Sequence, residues 1–199
     1  MEDWIFLNQC LSLRFWVLDF SSPCALNFLC LLPCTFATMS TVTIRNIQPG
    51  DNAALAVIIR NSLAEFGANK PGTVFFDPTT DALYELFQTP GSVYFIAEEE
   101  GKLLGGGGIF PTEGLPAKTC ELVKMYLHKD ARGKGLGKRM IEECLQWAKA
   151  NGYQQVYLET MPELKQALKV YELFGFEYLN GPLGNSGHFG CDRWMLKKL

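Results

Sequence analysis

The stretch that decides the fold of this sequence is Arg132-Gly133-Lys134-Gly135-Leu136-Gly137. It lies between a strand-like run, Glu121 to Leu127, and a helix-like run, Lys138 to Ala150. Glycines let a backbone approach a ligand closely, and the free amides of a helix's first turn favour an anion. The stretch therefore predicts an anion-binding loop between a strand and a helix, and a pyrophosphate-bearing cofactor as its ligand.

Two better-known glycine loops do not fit this pattern. The loop of nucleotide triphosphatases needs a Lys followed by Ser or Thr, whereas Lys138 is followed by Arg139. The dinucleotide fingerprint is Gly-x-Gly-x-x-Gly, whereas residues 133–137 read Gly-x-Gly-x-Gly. What remains is Arg-x-x-Gly-x-Gly beginning at Arg132, which resembles the coenzyme A loop of the GNAT superfamily of acetyl-CoA-dependent N-acetyltransferases.

A second motif supports this resemblance. The strand-like segment Val156 to Thr160 is followed by a helix-like segment, Pro162 to Phe174, whose apolar residues recur at helical spacing. Residues 167–176 read Ala-x-x-x-Tyr-x-x-x-Gly-Phe, which is similar to the signature that ends the GNAT core. The resemblance covers about Leu122 to Tyr178, and more weakly Thr41 to Leu199.

The GNAT resemblance implies an α/β fold with a mixed, mostly antiparallel central sheet flanked by helices in a single domain. Periodicity places the elements outside the two motifs. The predicted helices run from Asp51 to Phe66 and from a cap at Thr80 or Asp81 to Phe87. The predicted strands are Thr41 to Ile47, Val93 to Glu98, Lys102 to Phe110, Phe176 to Leu179 and Arg193 to Leu196.

The strand from Lys102 to Phe110 contains four successive glycines, Gly105 to Gly108. Glycine weakens a strand because it has no side chain to pack. Two interpretations stay open at this point: a β-bulge or close approach of another backbone or a ligand, and a flexible kink.

The composition fits one domain with a substantial core, since 48% of the 199 residues are hydrophobic. The net charge is −3 and no basic stripe is present, which argues against nucleic acid as a partner. Of the seven cysteines, four precede residue 40, and the other three are scattered at Cys120, Cys144 and Cys191. Such a pattern is typical of a reducing cytoplasm, where we expect the protein to act.

Residues 1–38 form an apolar N-terminal extension that we expect to lie outside the fold. The extension begins with acidic residues rather than the basic start of a secretory signal, and Pro23 and Pro33 interrupt its charge-free stretch. Strand-like alternation begins abruptly after Met39, so we expect translation to start there and residues 39–199 to form the GNAT acetyltransferase domain. A membrane tether is the alternative; without it, no membrane partner is expected.

The resemblance also implies how acetyl-CoA would be held. The backbone of Met125, Tyr126 and Leu127 would meet the pantetheine arm and the thioester carbonyl where the central strand splays from its neighbour. The pyrophosphate would rest on the glycine loop with Arg132 beside it. The predicted residues of that loop are Arg132, Gly133, Lys134, Gly135, Leu136, Gly137 and Lys138.

Catalytic roles follow from the same resemblance. Tyr171 matches the helix tyrosine that directs its hydroxyl to the cofactor sulfur, and a phenol with a pKa near 10 can protonate a departing thiolate. Its alternative role is packing. Glu159 is the candidate general base, because it lies near the carboxyl end of its strand and matches a carboxylate used by some family members. Glu121 competes for that role, and either carboxylate could be a solvated strand-end charge.

Three further features modify this prediction. Leu164 stands where many family members have an Asn that contacts the cofactor arm, so that contact is not carried over. His188, Cys191 and Asp192 do not have the spacing of a metal site or of a Cys-His nucleophile, so no metal is expected. The loop around His188 is instead expected to border the acceptor pocket.

The predicted function is transfer of the acetyl group of acetyl-CoA to the primary amine of a small molecule. The amine would attack the thioester directly in a ternary complex. The alternative is a non-catalytic acyl-CoA-binding module with a sensing or regulatory role. The acceptor-facing segments, Asp51 to Phe87 and Asn180 to Cys191, have mixed charges, so amino acid, amine, antibiotic and protein amino terminus all stay open. The chain resembles uncharacterised bacterial GNAT proteins, and dimers are frequent in this superfamily, so a homodimer is an expectation.

Overall fold

A computed structural model of the chain describes residues 41–199, so the prediction about residues 1–38 lies outside the described part. The described part contains four α-helices and seven strands. The helices are α1 (Asn52–Glu65), α2 (Leu83–Leu86), α3 (Leu136–Ala150) and α4 (Lys165–Leu173). The strands are β1 (Thr43–Asn46), β2 (Val93–Glu99), β3 (Lys102–Phe110), β4 (Thr119–Leu127), β5 (Gln155–Thr160), β6 (Glu177–Tyr178) and β7 (Arg193–Lys198).

All seven strands belong to one sheet, in the order β1-β2-β3-β4-β5-β7-β6. Neighbouring strands are antiparallel except β4 and β5, which are parallel. Alternation along β2 divides the core between the two faces of the sheet. Tyr94 and Ile96 belong to the cluster built with α1, whereas Phe95 and Ala97 belong to the cluster built with α3 and α4. The predicted mixed, mostly antiparallel sheet with helices on both faces is therefore confirmed.

The parallel pair opens into a cleft. β4 and β5 pair only over Thr119 to Glu121 and Gln155 to Tyr157, and no further pair joins them within residues 41–199. From Leu122 onward, the edge of β4 that faces β5 is therefore without a strand partner in the described part of the chain. The expectation that the central strand splays from its neighbour agrees with this pairing.

The glycines of β3 produce both a bulge and close packing. Gly106 is opposite Tyr126 and Gly108 is opposite Val123, so Lys124 and Met125 together face a single residue, Gly107. This is the pairing of a β-bulge in β4. Lys124 has a φ of 50°, a left-handed conformation that non-glycine residues seldom adopt. At Gly105, Gly106 and Gly108 a Cβ would lie under 3 Å from a carbonyl oxygen of a neighbouring strand, and at Gly107 it would meet the end of the Met125 side chain, so close approach replaces the flexible kink.

Substituting one of these glycines is expected to destabilise the fold. In Gly106→Ala the new methyl group would overlap the ring of Tyr94 and lie 2.7 Å from the carbonyl oxygen of Phe95. Tyr94 is fully buried and donates a hydrogen bond to the carbonyl oxygen of Lys124 at 2.8 Å, so its ring cannot move freely. We expect a loss of about 2–3 kcal/mol in the free energy of unfolding, measured by urea denaturation.

The matched control for this substitution is Gly50→Ala. Gly50 is exposed, and a methyl group there meets no atom within 4 Å. Its unfolding midpoint should stay at or slightly above that of the wild-type protein, because alanine lowers the entropy of the unfolded chain. Equal midpoints for both variants would contradict the packing described for β3.

Two helices begin elsewhere than the sequence predicts. α4 starts at Lys165 rather than Pro162, because Pro162 lies in a turn closed by a hydrogen bond from the amide of Leu164 to the carbonyl oxygen of Met161 (3.1 Å). α2 starts at Leu83, because Pro78–Asp81 form a separate 3-10 helix; the side chain that caps this 3-10 helix is Asp77, which accepts from the amide of Thr79 at 2.9 Å. The side chains of the two predicted caps have other partners. The Thr80 hydroxyl donates to the carbonyl oxygen of Val74, and the Asp81 carboxylate forms an ion pair with Arg60.

Candidate active site

A cleft of about 780 Å³ lies where β4 and β5 separate. One wall is the second half of β4, and another is formed by the end of β5 and the residue that follows it, Glu159 to Met161. The loop after β4 and the first turn of α3 close one end, α4 forms a side, and His188 and Cys191 border the other end. Both sequence motifs therefore contribute to a single cavity, together with the loop that the sequence analysis assigned to the acceptor pocket.

The loop before α3 presents unpaired backbone amides. Gly133 and Gly135 have φ values of 76° and 80°, which glycine adopts without strain. Within residues 41–199 the amides of residues 133–138 have no hydrogen-bond acceptor, and the first amide of the helix to find one is that of Arg139, which donates to Gly135 at 3.2 Å. Free amides at the positive end of a helix dipole are suited to a phosphate group.

Some of the predicted loop residues line the cleft and others do not. Gly133, Gly135, Gly137 and Lys138 line the cleft. Two others are not among the lining residues: Leu136 is buried in the core, and Lys134 borders a separate small cavity. Leu136 can therefore act on a ligand in the cleft only through its backbone, and the side chain of Lys134 is exposed beside the cleft wall without forming part of it.

Arg132 lines the cleft, but other groups hold its guanidinium. The guanidinium donates to the carbonyl oxygen of Leu127 at 2.9 Å and to the Glu65 carboxylate at 2.9 Å. It also lies 5.2 Å from the centre of the Phe66 ring. Arg132 thus ties the loop to α1 and to the end of β4, an arrangement that the sequence pattern does not reveal.

The second half of β4 supplies the open backbone edge. Met125, Tyr126 and Leu127 all line the cleft. The carbonyl oxygen of Leu127 is already engaged by Arg132 and by the hydroxyl of Ser62 (3.3 Å). Leu164 also lines the cleft, where its side chain offers no hydrogen-bonding group to a ligand.

Tyr171 projects from α4 into the wall of the cleft. Its ring is buried and packs edge-on against Phe176, with the ring centres 5.8 Å apart. The hydroxyl makes no hydrogen bond to any residue in the described range 41–199. Burial raises the pKa of Tyr171 well above its usual value, so the hydroxyl stays protonated throughout the neutral range.

Two carboxylates and an imidazole meet at the other end of the cleft. One ligand atom from each of Glu121, Glu159 and His188 lies within 4.8 Å of the other two. Glu121 is 3% exposed and accepts a hydrogen bond from the hydroxyl of Thr112. Burial, reinforced by the charge of Glu159, raises the pKa of Glu121 to about 7. The structure therefore brings together Glu159, the candidate base, and Glu121, its competitor.

Glu159 is fixed by hydrogen bonds on both of its oxygens. The hydroxyl of Tyr157 donates to one oxygen at 2.8 Å, and the hydroxyl of Ser186 donates to the other at 2.8 Å. The amide of Leu183 in turn donates to the Tyr157 hydroxyl at 3.1 Å. These contacts attach the loop between β6 and β7 to the floor of the cleft.

A buried ion pair lies beside the carboxylates and was not found from the sequence. The ammonium of Lys124 is 2.6 Å from the Asp77 carboxylate, and the Lys124 side chain is only 4% exposed. His188 approaches the same carboxylate, with Nε2 3.5 Å from Oδ2. Burial opposes ionisation of Asp77, but hydrogen bonds from His188 and Lys124 outweigh it and lower its pKa. The signal in the sequence was a lysine within an otherwise apolar stretch of the central strand.

Cys191 and Asp192, which the sequence does not predict to act in catalysis or metal binding, lie in different surroundings. Burial raises the pKa of the Cys191 thiol to about 12, which disfavours the thiolate that a nucleophile requires. Asp192 lies outside the cleft lining and pairs with Arg193 at 3.6 Å. Glu121, Glu159 and His188 offer the donor types that a divalent ion accepts, so the expectation of no metal stays a prediction.

Neutralising Glu121 is expected to change how stability depends on pH. Because the pKa of Glu121 rises from 4.5 to about 7 on folding, the folded protein binds the proton more tightly than the unfolded chain. The resulting stabilisation is complete below pH 4.5 and is lost as the pH rises to about 7. Glu121→Gln should therefore be more stable than wild type at pH 8, by up to about 3 kcal/mol, and similar at pH 4.

Urea denaturation at both pH values measures this difference. Glu142→Gln is the control, because Glu142 is exposed on α3 and its substitution should leave stability unchanged at either pH. A Glu121→Gln variant that loses stability at pH 8 would mean that the buried carboxylate is ionised there without penalty.

The described part of the chain, residues 41–199, contains no helix that is both long and apolar enough to cross a membrane. The open-edged sheet, the free-amide loop and the tyrosine on α4 are the features that the two sequence motifs predict for the acyltransferase class. The sequence model of the acetyltransferase (GNAT) family matches residues 61–176. The chain belongs to this family.

Three individual proteins illustrate the relationship. The chain is 42% identical to the uncharacterised N-acetyltransferase YjgM of Escherichia coli (strain K12), over 78% of this chain and 93% of that protein. A GNAT acetyltransferase from Staphylococcus aureus Mu50 shares the fold with a TM-score of 0.71 at 17% identity, over 79% of this chain and 99% of that one. The structure of the PaiA N-acetyltransferase of Thermoplasma acidophilum in complex with coenzyme A shares the fold with a TM-score of 0.63 at 19% identity. The match covers 80% of this chain and 99% of that one.

Proposed function

We propose that this chain transfers the acetyl group of acetyl-CoA to the primary amine of a small molecule by direct attack in a ternary complex. The observation that carries the proposal is a single cleft that joins an anion-binding loop, an open strand edge, a protonated tyrosine and a pair of carboxylates. The relatives add support, since YjgM is named an N-acetyltransferase and the PaiA structure contains coenzyme A.

The two ends of the cleft suit the two substrates. The free amides of residues 133–138 would bind the pyrophosphate, with the ammonium of Lys138 nearby. The pantetheine arm would lie along the open edge of β4, at Met125 to Leu127, and hydrogen-bond to its backbone. The amine would enter from the end where Glu121, Glu159 and His188 meet. The thioester would then lie between the two ends, beside Tyr171.

The reaction requires a neutral amine and a protonated leaving group. The amine nitrogen attacks the thioester carbon, a C–N bond forms and the C–S bond breaks. An ammonium substrate gives up two protons in all, one before attack and one as the amide forms, and these pass to the carboxylates and then to solvent. The leaving sulfur receives one proton, which Tyr171 would supply and regain from solvent, so that one proton is released to solvent in the overall reaction.

Of the two carboxylates, Glu121 is better suited to accept the proton. Its pKa of about 7 matches a base that works near neutral pH. Both oxygens of Glu159 already accept hydrogen bonds, so Glu159 is better suited to attract and orient the ammonium group. A non-catalytic module would need neither the carboxylate pair nor the tyrosine.

The test combines binding with turnover. Isothermal titration of the protein with acetyl-CoA and with coenzyme A should give heat, and a panel of primary amines should release free thiol from acetyl-CoA. Absence of heat with either cofactor would refute the proposal. Binding without thiol release by any amine would instead support the sensing module.

A further inference from the structure

We propose that the acceptor is an amine without a carboxylate beside its amino group, and that Asp77 enforces this preference by occupying the ammonium of Lys124. This inference rests on the proposed function and specifies the acceptor end of the same cleft. Its basis is the distribution of charge among the residues that border that end, together with the partners each charged group already has.

The acceptor end is rich in negative charge. Glu121 and Glu159 line it directly. The Asp77 carboxylate is not part of the lining but contacts two residues that are, His188 and Lys124. Against these three carboxylates stand one ammonium, that of Lys124, and the imidazole of His188. Such a surface attracts an ammonium group and repels a second carboxylate that is attached close to it.

The ammonium of Lys124 is the group that an amino acid's carboxylate would need. It is 2.6 Å from Asp77; the Lys124 side chain is 4% exposed and the Asp77 side chain is 19% exposed, so most of the pair is shielded from solvent. Asp77 is itself held in place, because the amide and the hydroxyl of Thr79 both donate to its other oxygen, at 2.9 and 2.8 Å. Separating a buried pair leaves an uncompensated charge, so a substrate carboxylate would have to displace a well-placed competitor.

The other cations of the cleft are at its opposite end. Among the described residues that line the cleft, the remaining lysine and arginine side chains are Lys138 and Arg132. Lys138 lies in the first turn of α3, at the anion-binding loop, and Arg132 is bonded to Glu65 and to Leu127. An α-amino acid bound with its nitrogen at Glu121 and Glu159 would therefore place its carboxylate beside those two groups without a counter-charge.

The experiment compares acceptors that differ in the carboxylate alone. The values of kcat/KM for tyramine, tyrosine and tyrosinamide, and for putrescine and ornithine, are measured by thiol release at pH 8. We expect each amine to exceed its amino acid by at least about 100-fold, since like charges brought together at a binding site are strongly unfavourable. Tyrosinamide should resemble tyramine more than tyrosine, which separates charge from size.

The variant Asp77→Asn tests the role of Asp77. It keeps the shape of the side chain but frees the ammonium of Lys124 for a substrate carboxylate, so the tyramine-to-tyrosine ratio should fall by about tenfold or more. Asp81→Asn is the matched control: Asp81 pairs with Arg60 and is not among the cleft-lining residues, so its variant should keep the wild-type ratio.

Each outcome decides a separate point. Tyrosine or ornithine used as well as its amine by the wild-type protein would overturn the inference while leaving the proposed function intact. An unchanged ratio in Asp77→Asn would overturn the role of Asp77. Failure of every acceptor, despite binding of acetyl-CoA, would overturn the proposed function itself. The wild-type comparison needs no variant, so it decides the acceptor class even if Asp77→Asn does not fold.

Discussion

Gly137→Glu is expected to weaken binding of acetyl-CoA and coenzyme A by at least about 100-fold, because a carboxylate close to a phosphate group costs several kcal/mol. Gly137 lies in the first turn of α3, within the run of free amides, and lines the cleft. The introduced carboxylate would repel the pyrophosphate and could itself accept hydrogen bonds from those amides. Titration calorimetry with either cofactor measures the loss.

The fold should tolerate this substitution. A Cβ at Gly137 would meet only a methyl group of Leu127, at 3.6 Å, which is an ordinary contact, and its φ is not among the positive values. Glutamate is a better helix former than glycine, and a negative charge near a helix N-terminus is favourable. We therefore expect an unfolding temperature equal to or higher than that of wild type.

The matched control is Gly50→Glu, which adds the same charge at an exposed glycine with open space around it. This control should bind both cofactors normally. Wild-type affinity in folded Gly137→Glu protein would mean that the loop before α3 does not hold the pyrophosphate, and the proposed function would lose its main support.

Tyr171→Phe is expected to lower kcat by about 100-fold or more while leaving the affinity for acetyl-CoA nearly unchanged, as is typical when a proton donor is removed. The substitution deletes one oxygen, which has no hydrogen-bond partner within residues 41–199. The ring keeps its packing against Phe176. Stability should therefore change little, and the loss of activity can be assigned to the hydroxyl. Steady-state thiol release and calorimetry separate the two effects.

The raised pKa of Tyr171 specifies what the hydroxyl contributes. Its proton is retained across the neutral range, so the activity should not fall between pH 7 and 9 through ionisation of this group. A free thiol has a pKa near 8.5, below that of Tyr171, so proton transfer from the tyrosine to the departing sulfur is uphill unless solvent returns a proton to the phenolate. The hydroxyl is suited to donate a hydrogen bond to the sulfur as negative charge develops, and to pass on a proton that solvent then replaces.

Tyr153→Phe is the control for this prediction. The Tyr153 hydroxyl donates to the carbonyl oxygen of Gly91 at 2.8 Å, and Tyr153 does not line the cleft. Its loss should leave kcat within a small factor of wild type. Full activity of Tyr171→Phe would remove the tyrosine from the mechanism and leave protonation of the sulfur to solvent.

Much of the fold was predictable because it depends on local patterns. The glycine loop, the strand before it and the helix after it follow from positive-φ glycines and apolar spacing within about thirty residues of sequence. The start of α4 was predicted three residues too early, because the turn at Pro162 reads like a helix start when only periodicity is considered. A proline fits both the first turn of a helix and the second position of a turn.

The contacts of the site were less predictable because they join distant parts of the chain. Lys124 and Asp77 are 47 residues apart in sequence, and Arg132 and Glu65 are 67 apart. Neither pair leaves a periodic signal, and each depends on how loops lie on the finished sheet. Glu121 and Glu159 could be named as candidates from their strands, but their meeting depends on the register of β4 and β5, which sequence alone does not determine.

Because β4 and β5 separate early, the stability of the folded protein is expected to depend on the concentration of the ligand in the cleft. On the proposed binding mode, the pantetheine arm hydrogen-bonds to a strand edge that otherwise has no neighbour, so the ligand completes the sheet. A ligand that binds only the folded state raises stability in proportion to the logarithm of its concentration. Because acetyl-CoA and coenzyme A share this binding mode in the proposal, the amount of intact protein in a cell would then follow the summed abundance of the two, whereas the rate of acetylation would follow acetyl-CoA alone.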